Sequence, residues 1–299
     1  MTRARTASAP GVLRTAALTS LAMVAFAANS ILCRRALGEG AIDAASFSTV
    51  RLVSGALALA LLHAALTRRR AARHAHASPS ERAGSWASAA MLFLYAVPFS
   101  FAYNSLATGT GALILFGAVQ ATMLVAGLRS GEHPHPLQWG GLVLALAGLV
   151  YMVLPGVSAP SPTGSALMGI AGVAWGVYSL RGRGARDPLA ETSANFTRSV
   201  PMVLVVSALT LSTMQATASG VLLAVASGAL ASGVGYAVWY AALGGLSSTV
   251  AAIVQLTVPV IAAVGGVLFM AESITPRLVI ASTLILGGVL VALSAPRAR

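Results

Sequence analysis

The chain has 299 residues, of which 57% are hydrophobic and only 9% charged, with a mean hydropathy of +0.83. A soluble domain keeps roughly a quarter of its residues charged because its surface must be solvated, so most of this surface has to face lipid. All 19 basic residues are Arg, against seven acids, for a formal charge of +12. These Arg fall in short connections between apolar runs, which excludes a nucleic-acid-binding face and points to cytoplasmic loops beside anionic lipid.

Crossing about 30 Å of hydrocarbon takes about 20 mostly apolar residues. Runs of that kind lie at approximately 13–33, 47–66, 86–106, 109–128, 137–155, 164–181, 197–214, 220–243, 248–270 and 277–295. Thr108-Gly109 and the stretch Gly244 to Ser247 are connections so short that the helices they join are antiparallel neighbours. With ten spans and the N-terminus inside, Arg3, Arg5, Arg14, Arg68, Arg69, Arg70, Arg73, Arg82, Arg129, Arg181, Arg183, Arg186, Arg198, Arg297 and Arg299 are cytoplasmic. Arg34, Arg35 and Arg277 lie on the other side, with Arg51 at the entrance of the second span. That bias predicts both termini in the cytoplasm of a multi-pass plasma (inner) membrane protein. Arg3, Arg5 and Arg14 before an apolar stretch ending in Ala25-Phe26-Ala27 also read as a signal peptide.

An internal repeat argues against cleavage there. At an offset of 147, Ala25-Phe26-Ala27-Ala28-Asn29 lies over Gly172-Val173-Ala174-Trp175-Gly176, Arg34 over Arg181 and Arg51 over Arg198. At 137, Tyr103 and Leu106 meet Tyr240 and Leu243, and at 140, Glu132 and Pro136 meet Glu272 and Pro276. The sixth span, counterpart of the first, sits mid-chain and is no signal peptide. The repeat divides the chain into a tail 1–12, a five-helix repeat 13–155, a linker 156–163, a second five-helix repeat 164–295 and a tail 296–299. An odd number of crossings inverts the second copy, which is the architecture of secondary transporters. The predicted fold class is therefore an all-α membrane protein of ten transmembrane helices in two inverted five-helix repeats.

The stretches Ala25 to Arg35, Ser46-Phe47-Ser48-Thr49-Val50-Arg51-Leu52, Tyr103-Asn104-Ser105-Leu106, and Gly131-Glu132 with Pro136 resemble the first EamA domain of the drug/metabolite transporter (DMT) superfamily. Tyr240-Ala241-Ala242-Leu243, Gln255-Leu256-Thr257-Val258-Pro259-Val260, and Ala271-Glu272 with Pro276 resemble the second. The resemblance implies ten helices, a central cavity, and export or exchange of small metabolites, amino acids or drugs. The first half departs from the pattern, with Val119-Gln120-Ala121-Thr122 where the second has Pro259, so the fourth and ninth helices are not expected to bend alike.

None of the seven acids lies mid-span on this topology, and the first helix carries Asn29 where a proton-coupling carboxylate would sit. Glu132 and Glu272 read as helix ends that set the turn before a proline. Arg51 and Arg198 either meet an anionic substrate or, as helix-end arginines usually do, snorkel or pair with a carboxylate such as Asp43 or Glu191. Mid-span amides and aromatics are the better cavity lining: Asn29, Tyr103, Asn104, Gln120, Trp175, Tyr178, Trp239, Tyr240 and Gln255, with Ser30, Thr122, Tyr236 and Thr257 beside them. Such groups must face other helices or an aqueous cavity. Without fixed charge, they favour neutral or zwitterionic metabolites. Cys33 excludes a disulfide framework and reads as packing, and His74, His76, His133 and His135 read as solvated loops. The partners expected are a small-molecule substrate and anionic lipid at the Arg loops. No cofactor, metal or nucleic acid is called for, and the reading admits a homodimer. The leading function is a secondary transporter. An intramembrane enzyme would need a nucleophile and base at matching depth, and a non-transporting scaffold is the other alternative.

Overall fold

The computed structural model describes residues 9–71, 83–106, 108–153, 161–270 and 276–295. Twelve helices account for nearly all of them: α1 (Ala9–Gly38), α2 (Ala44–Ala71), α3 (Trp86–Ala102), α4 (Thr108–Arg129), α5 (Pro136–Val153), α6 (Pro162–Gly182), α7 (Pro188–Leu209), α8 (Ala218–Ala226), α9 (Gly235–Leu243), α10 (Ser248–Gln255), α11 (Thr257–Met270) and α12 (Pro276–Leu293). A π-helical stretch, Ser227–Val234, joins α8 to α9, and Leu256 alone separates α10 from α11. The described residues therefore form ten rods. Gly11–Gly38, Ala44–Arg69, Pro162–Gly182 and Ala218–Leu243 are each long and apolar enough to span a bilayer, and every other rod except α7 contains a shorter apolar helix.

Lipid supplies no hydrogen bonds, so helix ends must be closed by the chain itself. Ser85 accepts from the Ser88 amide, Asp187 from Ala190, Thr217 from Gly220 and Ser247 from Val250. Pro162 and Pro188 occupy first-turn positions where the missing N–H has no partner to lose. Large apolar side chains point outward, among them Leu61, Leu209, Leu222, Leu268, Phe269 and Leu290. Many alanines, most of the aromatics and most of the polar side chains of the spans lie inside. That inverts the distribution of a soluble bundle.

The rods interleave. The helix pair α5–α12 packs along its length, as does α2–α7. Helix α1 lies against α8, α9 and α11, while α6 lies against α3 and α4. At one end, the α1–α2 turn meets the α7–α8 turn, with the Asp43 amide donating to Gln215 O and the Thr217 amide to Ala41 O, each at 2.8 Å. Asp43 also accepts from the Ala45, Ser46 and Gln215 amides. Burial would push its carboxyl up, but these bonds outweigh burial and hold it below the usual range.

Two of the boundaries that differ from the hydropathy reading bear on the site, and the expected difference in bend between the fourth and ninth rods is seen. Helix α7 starts at Pro188 instead of 197, because its first half carries Thr192, Asn195 and Ser199 on an inward face where they are fully buried. Helix α3 ends at Ala102, and Tyr103 to Leu106 form turns. The fourth rod is continuous while the ninth breaks at Leu256. Pro259 has no N–H for the Gln255 carbonyl one turn back, which accounts for the break. Glu81, Glu272, His74, His76, Arg73, Arg82 and the terminal arginines Arg3, Arg5, Arg297 and Arg299 lie outside the described residues.

Candidate functional site

Helix α2 begins at Ala44, which sets Arg51 seven positions along it, about 10 Å from the helix end. The side chain is 1% exposed. Its Nε donates to Ser232 Oγ at 2.9 Å, and its Nη2 donates to Tyr236 Oη at 2.6 Å and Tyr95 Oη at 3.4 Å. Nη1 is buried with no hydrogen-bond partner. The Tyr95 and Phe99 rings stand 5.3 and 5.7 Å from the guanidinium carbon, close enough for cation–π attraction.

No carboxylate among the described residues pairs with Arg51. Glu39 pairs with Arg35, Glu132 with Arg183, Asp43 is taken up by backbone amides, Asp187 caps α7, and Glu191 accepts from the Gly84 amide. The expected pairing of Arg51 with Asp43, or its snorkelling to the interface, is therefore corrected: the arginine points inward. The arginine that the sequence offset of 147 sets over it differs. Arg198 is half-buried and donates to the Ala83 carbonyl at 2.9 Å, and it makes no ion pair with Glu191.

The π-helical stretch supplies the wall facing Arg51. Widening the helix there carries Ser227 and Ser232 toward α1, where Asn29 Oδ1 accepts from both, at 2.6 and 3.4 Å. Gly228 sits against the Arg51 backbone and the Ser54 hydroxyl, with no room for a Cβ. Around this core, Trp175 lies 4.7 Å from Tyr236, 4.9 Å from Tyr95 and 5.1 Å from Phe26, centroid to centroid. Trp175 Nε1 donates to Gln255 Oε1 at 2.7 Å, and the Gln255 amide donates to Met123 Sδ and Ala251 O. Gln120 Nε2 donates to Ala252 O at 2.6 Å, leaving its Oε1 buried and unpartnered. Trp239 Nε1 donates to Ser179 Oγ and Tyr240 Oη to Tyr178 O. Asn195 and Thr192 border the Tyr178 hydroxyl, but not in hydrogen-bonding geometry.

Of the nine residues picked from the sequence, Asn29, Gln120, Trp175, Tyr178, Trp239, Tyr240 and Gln255 are buried within one contiguous set of contacts. Tyr103 sits at the end of α3, half-buried and edge-on to Phe99 at 4.9 Å, beside the centre. Asn104 is exposed in the turn after α3, so the mid-span position assigned to it is corrected. The sequence reading passed over Phe26, Tyr95, Phe99, Ser227 and Ser232. Counting eight residues from the Asp43 cap would have placed Arg51 at depth and drawn attention to what surrounds it.

At the opposite end from Asp43, Glu132 reaches across from the α4–α5 turn to the start of α10. Its carboxylate accepts from the Ser248 amide at 2.9 Å, the Thr249 amide at 3.2 Å and the Thr249 hydroxyl at 3.0 Å. Arg183 bonds both Glu132 and Ser248. Burial would raise the carboxyl, but the amide and hydroxyl bonds outweigh it and hold it below the usual range. The expectation that Glu132 only shapes the turn before Pro136 is too narrow. It caps a helix of the other half. Arg181 adds bonds to Ser85 and Ser88, and His133 and His135 are exposed in the α4–α5 turn.

The model of the EamA-like transporter family matches residues 162–294. An uncharacterized protein of Pseudomonas aeruginosa, PA1977, is 50% identical over 285 residues, covering 95% of this chain and 96% of its own. The chain belongs to the EamA family of the DMT superfamily. A solved crystal structure shares the fold, with a TM-score of 0.70 at 19% identity over 92% of this chain and 98% of its own. As an EamA protein the chain is a multi-pass membrane protein of a transporter family.

Proposed function

We propose that the protein is a secondary transporter of small organic metabolites, an exporter or exchanger working by alternating access between two inverted halves. The buried set of amides, hydroxyls and aromatic rings drawn from both halves carries this reading, since polar groups at that depth need a partner that lipid cannot provide. The interleaving of the rods is what an inverted pair would give. The α1 rod meets the eighth and ninth rods as α6 meets the third and fourth, and α2–α7 and α5–α12 pair with themselves. The amides, hydroxyls and rings of the lining suit neutral or zwitterionic solutes, and Arg51 adds a place for a carboxylate. Family members are transporters, which agrees with reading the chain as no enzyme.

The substrate would sit among Trp175, Tyr236, Gln255 and Asn29, exchanging hydrogen bonds for those it leaves in water. Release to one side would require parting the Glu132–α10 contacts, and release to the other, parting Asp43 from Gln215. The Arg distribution supports both termini in the cytoplasm of the plasma membrane, with anionic lipid at the Arg loops.

A thermal-shift screen of purified protein against a metabolite panel, followed by counterflow in proteoliposomes with each hit, tests the proposal. Saturable counterflow is expected. Flux without saturation or counterflow would indicate a channel, and no flux for any solute would leave a scaffold.

A further inference from the structure

Resting on the transporter reading, we infer that Arg51 anchors a carboxylate carried by the substrate, so that the transported class is small organic acids, amino acids included. The guanidinium is fixed in place from two of its three nitrogens. Nε is held by Ser232 and Nη2 by Tyr236 and Tyr95. Nη1 keeps both hydrogens free, and it is buried. A positive charge at this depth, with no carboxylate among the described residues paired to it, is unfavourable unless a mobile anion completes it. The fixed side of the fork prevents the arginine from turning away to water, and the free side is what a carboxylate oxygen needs.

The surroundings select the rest of the ligand. Tyr95 and Phe99 offer flat faces beside the charge, Trp175 and Phe26 pack against Tyr95 and Tyr236 behind them, and Arg51 is the one buried cation among the described residues. An anion with an apolar body fits that wall better than a phosphate or a dicarboxylate, whose remaining charge would have nothing to meet. Asn29 Oδ1 already accepts from two serines. The ammonium of an amino acid can take the place of the long 3.4 Å Ser232 contact there, which extends the class to zwitterions.

The test uses the full-length purified chain in detergent with matched probe pairs, benzoate against benzamide and L-leucine against L-leucinamide. Binding is followed by melting temperature and by tryptophan emission, since Trp175 lies in the lining. At least one carboxylate should bind about tenfold or more tightly than its amide, the scale of a charge-assisted hydrogen bond. Arg51→Gln should abolish that preference, and Arg51→Lys should retain part of it, having the charge without the fork. Equal binding of acid and amide, no binding of any probe, or a preference that survives Arg51→Gln overturns the inference. So does chloride alone reproducing the benzoate effect at equal concentration, which would make the site a halide site. The wild-type comparison needs no variant, so it decides the matter if Arg51→Gln fails to fold. Counterflow of neutral solutes without carboxylate preference would remove this inference and keep the transporter reading. Benzoate binding through Arg51 with no counterflow of any solute would do the reverse.

Discussion

The Nη2 of Arg51 on α2 donates to the Tyr236 hydroxyl on α9 at 2.6 Å, joining the two halves of the chain at a depth where neither group can reach water. The bond does two things. It aims the guanidinium, and it satisfies a phenol that would otherwise be buried without a partner.

Replacing Arg51 by Met separates stability from function. A buried charge with one nitrogen unpartnered is costly, and an apolar side chain of similar length removes that cost. Arg51→Met also leaves the Tyr236 phenol without its partner, so the two effects oppose: the melting temperature in detergent should stay close to that of the wild type, while counterflow of any acid that the wild type carries is lost. Tyr236→Phe lowers stability. It leaves Nη2 with only the longer Tyr95 contact and should destabilise by about 1–3 kcal/mol, read as a lower melting temperature.

Trp175 and Gln255 form an indole-to-amide bond of 2.7 Å between α6 and α10. Interhelical hydrogen bonds in membranes are worth about 0.6–2 kcal/mol. Trp175→Phe and Gln255→Leu should each destabilise, and the double variant should cost less than the sum of the two. Strict additivity in the melting data would mean the bond contributes nothing.

Glu132 predicts a pH dependence. Its folded carboxyl is held below its ordinary value by the Ser248 and Thr249 bonds, which outweigh the opposing effect of burial. The stabilisation is then fully present above the unfolded glutamate value of about 4.3 and is lost as pH falls through the lowered folded value. Asp43 acts in the same direction, so the difference between wild type and Glu132→Gln isolates Glu132. That difference in melting temperature should be largest near neutral pH and shrink under acid. A difference constant across the acid range would count against the capping role.

The rods were legible because lipid demands long apolar runs, and Trp175 and Gln255 because amides and indoles inside such runs need partners. Arg51 was legible as a recurrent residue but not as a central one. Starting the span at 47 left it one turn from water, whereas the Asp43 cap starts the helix at Ala44. Asn195 was hidden for the converse reason: its helix begins with a polar segment that hydropathy assigns to a loop. The π-helical widening at Ser227–Val234 leaves no trace in composition, because Gly, Ala and Ser also mark ordinary close packing. Asn104 was misplaced by counting apolar residues through a turn.

Glycine spacing gives a prediction that tests the packing without touching the site. Gly141 on α5 and Gly288 on α12 face each other's carbonyls so closely that a Cβ on either would run into the partner backbone, at Ala292 in one case and Ala145 in the other. Their sequence neighbours Gly140 and Gly287 have nothing within 4 Å of a built Cβ. Alanine at 141 or 288 should force α5 and α12 apart and lower the melting temperature, in the range of overpacked cores at about 1–3 kcal/mol. Alanine at 140 or 287 should be neutral or stabilise by up to about 1 kcal/mol through helix propensity. Equal effects at adjacent glycines would mean that the two helices do not cross there.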